Sequence, residues 1–174
     1  MLALGTACKH APPPTPVPSV THPIAIDGEW NEPDWSGRAL RGVFLGDDGK
    51  LARPSSEIRI LHDDRELIVA LYAADEDIET RDRFELRVGA FEATIDSTGK
   101  LVPPIPRVRA VVDFDEGTRD DPRDEDEEWV VELAIPLDLV DPVDRVAPVR
   151  AARCDTPKDG VTRCGAWSAT LAID

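Results

Sequence analysis

Glu57-Ile-Arg-Ile-Leu-His-Asp-Asp-Arg-Glu-Leu-Ile-Val-Ala-Leu-Tyr72 is the stretch on which the reading of this chain turns. Glu57 to Leu61 alternates apolar with charged residues, the period of a strand with one solvated face. Asp63-Asp64 then supplies a turn. Leu67 to Tyr72 is apolar throughout and partly β-branched, which suits a strand covered on both sides.

The same period extends in both directions. Phe84-Glu-Leu-Arg-Val88 alternates again, and further strands are expected at Phe91 to Asp96, Arg107 to Phe114, Trp129 to Ile135, Val146 to Arg153 and Ala166 to Ile173. Ser97-Thr-Gly99 and Pro103-Pro104 punctuate them as turns. Helix is expected only as a single turn around Glu32 to Arg38 and a brief one at Leu137 to Val140. Many short strands with turns at this spacing predict an all-β sandwich of two antiparallel sheets. Asp113 to Glu128 holds ten acids and two arginines, too much charge to pack, so a solvated loop is expected there.

With 174 residues the chain can bury one substantial core, and one domain is expected over residues 24–174. Before it, Lys9 to Ser19 is rich in proline with almost nothing to bury, so residues 9–23 read as an extended spacer. The net charge of -15, with no basic cluster to offset it, argues against nucleic acid as a partner.

Three cysteines divide unevenly. Cys154 and Cys164 enclose a segment whose Pro157 and Asp159-Gly160 are turn formers, the pattern of a disulfide-stapled hairpin. Cys8 is left over and needs a separate account. Leu2-Ala-Leu-Gly-Thr-Ala-Cys8 resembles the end of a bacterial lipoprotein signal. That resemblance implies lipidation of Cys8, export, and a chain either lipid-anchored to the bacterial cell envelope or secreted. Seven residues precede Cys8, fewer than a complete signal needs. Either the reading frame starts further upstream or the segment is not a signal.

Ile24-Ala-Ile-Asp-Gly-Glu-Trp-Asn-Glu-Pro-Asp-Trp35 is the most specific stretch of the chain. Asp27-Gly28 suits a tight turn, and Pro33 can open a helical turn that swings Trp35 onto the sheet. This pattern resembles the opening of the family 9 carbohydrate-binding modules. The likeness continues through the Glu57 to Tyr72 stretch, the acidic Asp75-Glu-Asp-Ile78 with Arg81-Asp82, Trp129 to Pro136 ending in Ile-Pro, and Trp167-Ser168. It implies a DOMON-like β-sandwich that binds an oligo- or polysaccharide without catalysing a reaction.

Sugar recognition needs flat aromatic faces and a few fixed polar groups. Trp167, from the C-terminal motif, and Trp30, in a turn-rich stretch, are the candidate stacking residues, while Trp35 and Trp129 fall at core phase. The resemblance also implies a structural calcium ion, for which Asp75, Asp77 and Asp82 would supply carboxylates. A solvated acidic loop is the plainer reading of the same three residues.

Catalysis finds little support. A Ser-His-Asp arrangement could be built only around His62, and no Gly-x-Ser-x-Gly elbow, phosphate-cradling loop or His-Glu-x-x-His helix occurs. Related sandwiches hold a b-type haem between axial Met, His or Lys side chains. Here the one methionine is Met1 and His62 reads as part of a turn, so no haem is expected. The alternative to sugar binding is a structural or protein-interaction domain of the cell envelope that keeps the sandwich and has lost the ligand.

Overall fold

The computed structural model of the chain describes residues 12–115, 121, 127–157 and 160–174. Cys8 with the rest of segment 1–8, residues 9–11 of the spacer, most of the acidic stretch after Asp115, and residues 158–159 of the expected hairpin turn lie outside the described residues.

In chain order the elements begin with β1 (Thr15–Pro16), α1 (Pro33–Gly37), β2 (Leu40–Val43), β3 (Ser56–His62), β4 (Glu66–Ala74) and β5 (Arg83–Val88). They continue with β6 (Phe91–Asp96), β7 (Leu101–Val102), β8 (Arg109–Asp115), β9 (Glu128–Pro136), α2 (Leu137–Val140), β10 (Val146–Asp155) and β11 (Arg163–Ala172). One sheet runs β1-β11-β10-β5-β6-β7 and the other β2-β3-β4-β9-β8. Only the β1–β11 pairing among these is parallel. This is the two-sheet, all-β architecture that the alternation predicts, with helix among the described residues confined to the two short turns.

The β3–β4 hairpin forms where Asp63 makes the turn, its Oδ1 accepting the N–H groups of Arg65 and Glu66, each at 2.7 Å. Ile58 then lies opposite Leu71 and Ile60 opposite Val69. With Val131 and Leu133 they meet Phe84, Leu86, Val149 and Ala151 of the facing sheet, none more than 3% exposed. Each such side chain contributes roughly 1.5–3 kcal/mol of burial. Trp129 joins this core against Phe84, with ring centroids 4.8 Å apart.

A second apolar layer explains why Leu67 to Tyr72 carries no polar alternation. Leu61, Ile68 and Ala70, on the outer side of the five-stranded sheet, are covered by Trp35, which is fully buried, and by Val20, Ile24 and Ile26. Pro33 opens α1, as expected, and the helical turn carries Trp35 inward. Glu132 of β9 fixes this cover from below. Its Oε1 accepts the Trp35 indole N–H at 2.9 Å, and its Oε2 accepts the N–H groups of Asp27 at 3.1 Å and Gly28 at 3.0 Å. Gly28 has φ +95°, and a Cβ there would lie 2.7 Å from that of Asp113, so the turn requires glycine.

Part of the expected spacer is not a spacer. Thr15–Pro16 extends the six-stranded sheet, Val17 is buried, and the chain crosses to the other sheet, where His62 donates its N–H to the Pro18 carbonyl at 3.1 Å. Val20 donates back to the His62 carbonyl at 2.9 Å. Proline is tolerated because the pairing is at a sheet edge, where carbonyls alone can serve. Among the described residues, strand pairing thus starts at Thr15, ahead of residue 24. His62 correspondingly is not in a turn but is the buried last residue of β3. Its Nδ1 faces the Asp63 carbonyl at 3.1 Å and must donate there, leaving Nε2, 3.1 Å from the Ser19 hydroxyl, as the acceptor in the neutral ring.

Candidate functional site

The two candidate stacking residues occupy different layers. Trp30 belongs to the outer cover of the five-stranded sheet, half-buried and stacked on Tyr72 with ring centroids 5.1 Å and planes 11° apart. The Arg59 guanidinium carbon sits 3.7 Å from its ring centre. Burial and a hydrogen bond to Glu128 push the Tyr72 phenol up to about 12, so it stays neutral beside the indole. Trp167, paired with core residue Ala151, packs from the six-stranded sheet against Gly42 of β2. The structure does not bring Trp30 and Trp167 together, and one sugar ring cannot lie across both.

The candidate metal ligands fare differently. Asp75, just after β4, and Asp82, just before β5, are both buried and lie together with Asp155 at the end of β10, their carboxylate oxygens within 4.8 Å of one another. Asp155 completes this group, while Asp77 lends its backbone N–H to Asp75 Oδ1 at 3.1 Å. Between Asp75 and Asp155 sits Arg153, itself 3% exposed, whose Nη2 donates to Asp75 Oδ2 at 2.6 Å and to Asp155 Oδ1 at 3.1 Å. Asp82 accepts the N–H of Thr156 on Oδ1 and that of Glu79 on Oδ2, both at 2.7 Å. Burial, reinforced by the charges of Asp75 and Asp155, pushes the Asp82 carboxyl up to about 7 against the pull of those N–H groups. Burial also raises Asp155.

The donor chemistry is that of a hard cation, but the arrangement does not fit one. Calcium takes six to eight oxygens at about 2.3–2.6 Å. Five of the six carboxylate oxygens here already accept a hydrogen bond: both of Asp75, both of Asp82 and Asp155 Oδ1. A guanidinium also stands where the ion would. Sequence reasoning missed Arg153 and Asp155, although a signal existed: Ala147, Val149 and Ala151 set the inward phase of β10, and Arg153 continues it.

Cys154 and Cys164 are joined, as expected, across directly opposed positions of β10 and β11 with Cα atoms 4.2 Å apart. The disulfide flanks a hollow of about 360 Å³ that also reaches Ser56, Arg153 and Asp155, so solutes have a route to the acid cluster.

A second hollow, of about 460 Å³, lies over β5 and β6 of the six-stranded sheet. Glu85, Arg87, Glu92, Thr94 and Arg150 line it, with Val102 and Pro103 along one side. Cross-strand register sets Arg87 between Arg150 and Glu92, and Glu85 opposite Thr94. The side chains of Arg87, Glu92 and Arg150 form no hydrogen bond or ion pair with other described residues, so their donors and acceptors face solvent unspent.

No family model and no curated protein sequence matches the chain. Solved structures do. A carbohydrate-binding module of family 9 from Caldicellulosiruptor kristjanssonii, in complex with cellotriose, superposes with a TM-score of 0.67 over 92% of this chain and 94% of that one, at 11% identity. The fold is family 9-like. The same module with glucose gives a TM-score of 0.67 over 93% of this chain and 96% of that one. A putative carbohydrate-binding protein from Bacteroides uniformis superposes at 0.59, with 13% identity, over 92% of this chain and 98% of that one. The family 9-like fold therefore accounts for more than nine-tenths of the chain.

Proposed function

We propose that the chain is a non-catalytic carbohydrate-binding domain. The observation that carries this reading is the likeness, over more than nine-tenths of both chains, to a module solved with glucose and with cellotriose. The hollow over β5 and β6 is the best place for the sugar. A pyranose presents hydroxyls that both donate and accept, and this hollow offers the Glu92 carboxylate and the Arg87 and Arg150 guanidinium groups, whose side chains are not consumed internally, beside the apolar Val102 and Pro103. Aromatic stacking on Trp30 or Trp167 is the second element of the proposal, each acting singly. Trp30 would first have to part from Tyr72 or Arg59.

Isothermal titration of the intact chain with glucose and cellotriose tests the reading. Saturable heat that Arg87→Ala and Glu92→Gln abolish, with the unfolding temperature unchanged, supports both ligand and site. Heat that survives those changes and disappears in Trp30→Ala or Trp167→Ala moves the site to that tryptophan. No heat with either sugar favours the alternative, an envelope interaction domain, for which the same charged hollow is the specific supporting observation.

We also infer export with a lipid on Cys8. The Cys154–Cys164 disulfide supports an oxidising compartment and leaves Cys8 as the odd thiol. Mass spectrometry of Cys8 in membrane fractions of an expressing bacterium tests this, and an unmodified thiol on soluble protein would count against it.

A further inference from the structure

We propose that the Arg153 guanidinium is the resident cation of the Asp75, Asp82 and Asp155 cluster, standing where a metal ion would stand, so that this end of the sandwich folds without calcium. Asp75 follows β4 of one sheet and Asp155 ends β10 of the other, so a single Nη2 shared between them ties the two sheets together. A divalent ion would make the same cross-link through oxygens. Here the link is covalently part of the chain and needs nothing from solution.

Three further observations support the substitution. All four side chains are buried, and acids gathered out of water favour a positive partner among them. A guanidinium suits such a place, being always charged, weakly hydrated and able to serve two carboxylates at once. And three of the six oxygens are committed to backbone donors, since Asp82 is held by the N–H groups of Glu79 and Thr156 and Asp75 by that of Asp77. An ion entering by the neighbouring hollow would have to displace both the arginine and these donors, against the repulsion of a fixed positive charge.

The proposal concerns the cluster alone and is independent of any sugar. Its test is thermal unfolding of the intact, disulfide-bonded chain, stripped of metals, in excess EDTA and in millimolar calcium. For the wild type the two midpoints should coincide within about 1 °C, because a ligand that does not bind the folded state cannot stabilise it. Arg153→Met removes the charge while keeping the length of the side chain. It should unfold at lower temperature in EDTA and recover by about 5 °C or more in calcium, the shift expected for a saturated site in a chain of this size. Arg153→Lys, which keeps a cation, should be insensitive to calcium.

If Arg153→Met does not fold in EDTA, recovery of folded protein on refolding in calcium supports the proposal and failure in both conditions overturns it. A wild-type midpoint that rises by about 5 °C with calcium, or saturable calcium heat in titration of the wild type, also overturns it.

Discussion

Two buried carboxylates pin the N-terminal cover, and they respond to pH in opposite directions. Glu132 is fully buried and accepts three N–H donors, yet burial, together with the charges of Glu32 and Asp27, raises its pKa from 4.5 to about 7. The folded chain therefore holds this proton more tightly than the unfolded chain does. Its contribution to stability is complete below the unfolded pKa of 4.5 and is lost as pH rises through about 7. A shift of that size corresponds to roughly 3 kcal/mol. Asp34 behaves conversely. Hydrogen bonds from the Thr21 hydroxyl and backbone and from His22 hold its carboxyl well below the usual range, so its contribution is present above the unfolded value and fades in acid. Urea denaturation of the wild type from about pH 5 to about pH 8 should show declining stability, to which Asp82 adds with the same sign. Glu132→Gln, which cannot ionise, should start less stable at the acid end and lose most of its own share of the slope. An unchanged slope would show that Glu132 does not titrate in this window.

At the scale of elements, the open side of the sandwich between β2 and β11 is closed at three points. Leu45 and Ala166 exchange two backbone bonds of 2.9 Å at one end, the Thr15 to Val20 strap crosses at the other, and Trp167 lies over Gly42 between them. A Cβ at position 42 would fall 2.3 Å from the Trp167 ring. Gly42→Ala should therefore cost about 1–3 kcal/mol through overpacking. Trp167→Ala should cost about 2 kcal/mol or more through the void it leaves. The double variant should be less destabilised than the sum, because the alanine methyl then has room, and chemical denaturation of the three proteins checks this.

These closures also mark where the sequence stops being legible. The alternation in Glu57 to Leu61, Phe84 to Val88 and the later strands predicts both sheets, because each strand with one buried face declares its phase locally. β1, β2 and β7 escape such a reading. They are two to four residues long, and their pairing depends on edges presented by distant strands. Among the site residues, Asp75 and Asp82 are legible as a close pair of acids, whereas the arginine that joins Asp75 to Asp155 is visible only once the inward phase of β10 is followed past Ala151. Glu132 gives no local sign. It sits on the outward phase of β9 and is buried only because a segment about a hundred residues away lies on it.

On the scale of the whole molecule, the strap makes residues 15–20 part of the fold's stability and not an appendage. Removing residues 1–20 would expose the Val17 contact, free the His62 backbone and ring, and leave β11 as a bare edge. The expected loss is about 3–5 kcal/mol, from one buried apolar side chain and several backbone bonds, with the sheet signal in circular dichroism retained. A truncated chain that unfolds at the wild-type temperature would mean that the strap only decorates the surface.

Because the strap pairs with β11 of one sheet and then with His62 of the other, it also determines how the domain would bear a load. Six residues separate Cys8 from Thr15, a reach of at most about 25 Å when fully drawn out. A pull on the N-terminal end would arrive along a strand lying parallel to its neighbour, so the backbone bonds of β1 would have to yield together in shear, not one by one as in unzipping. A domain held by such an end would sit close to its support and resist being dragged open by a ligand fixed to something that moves.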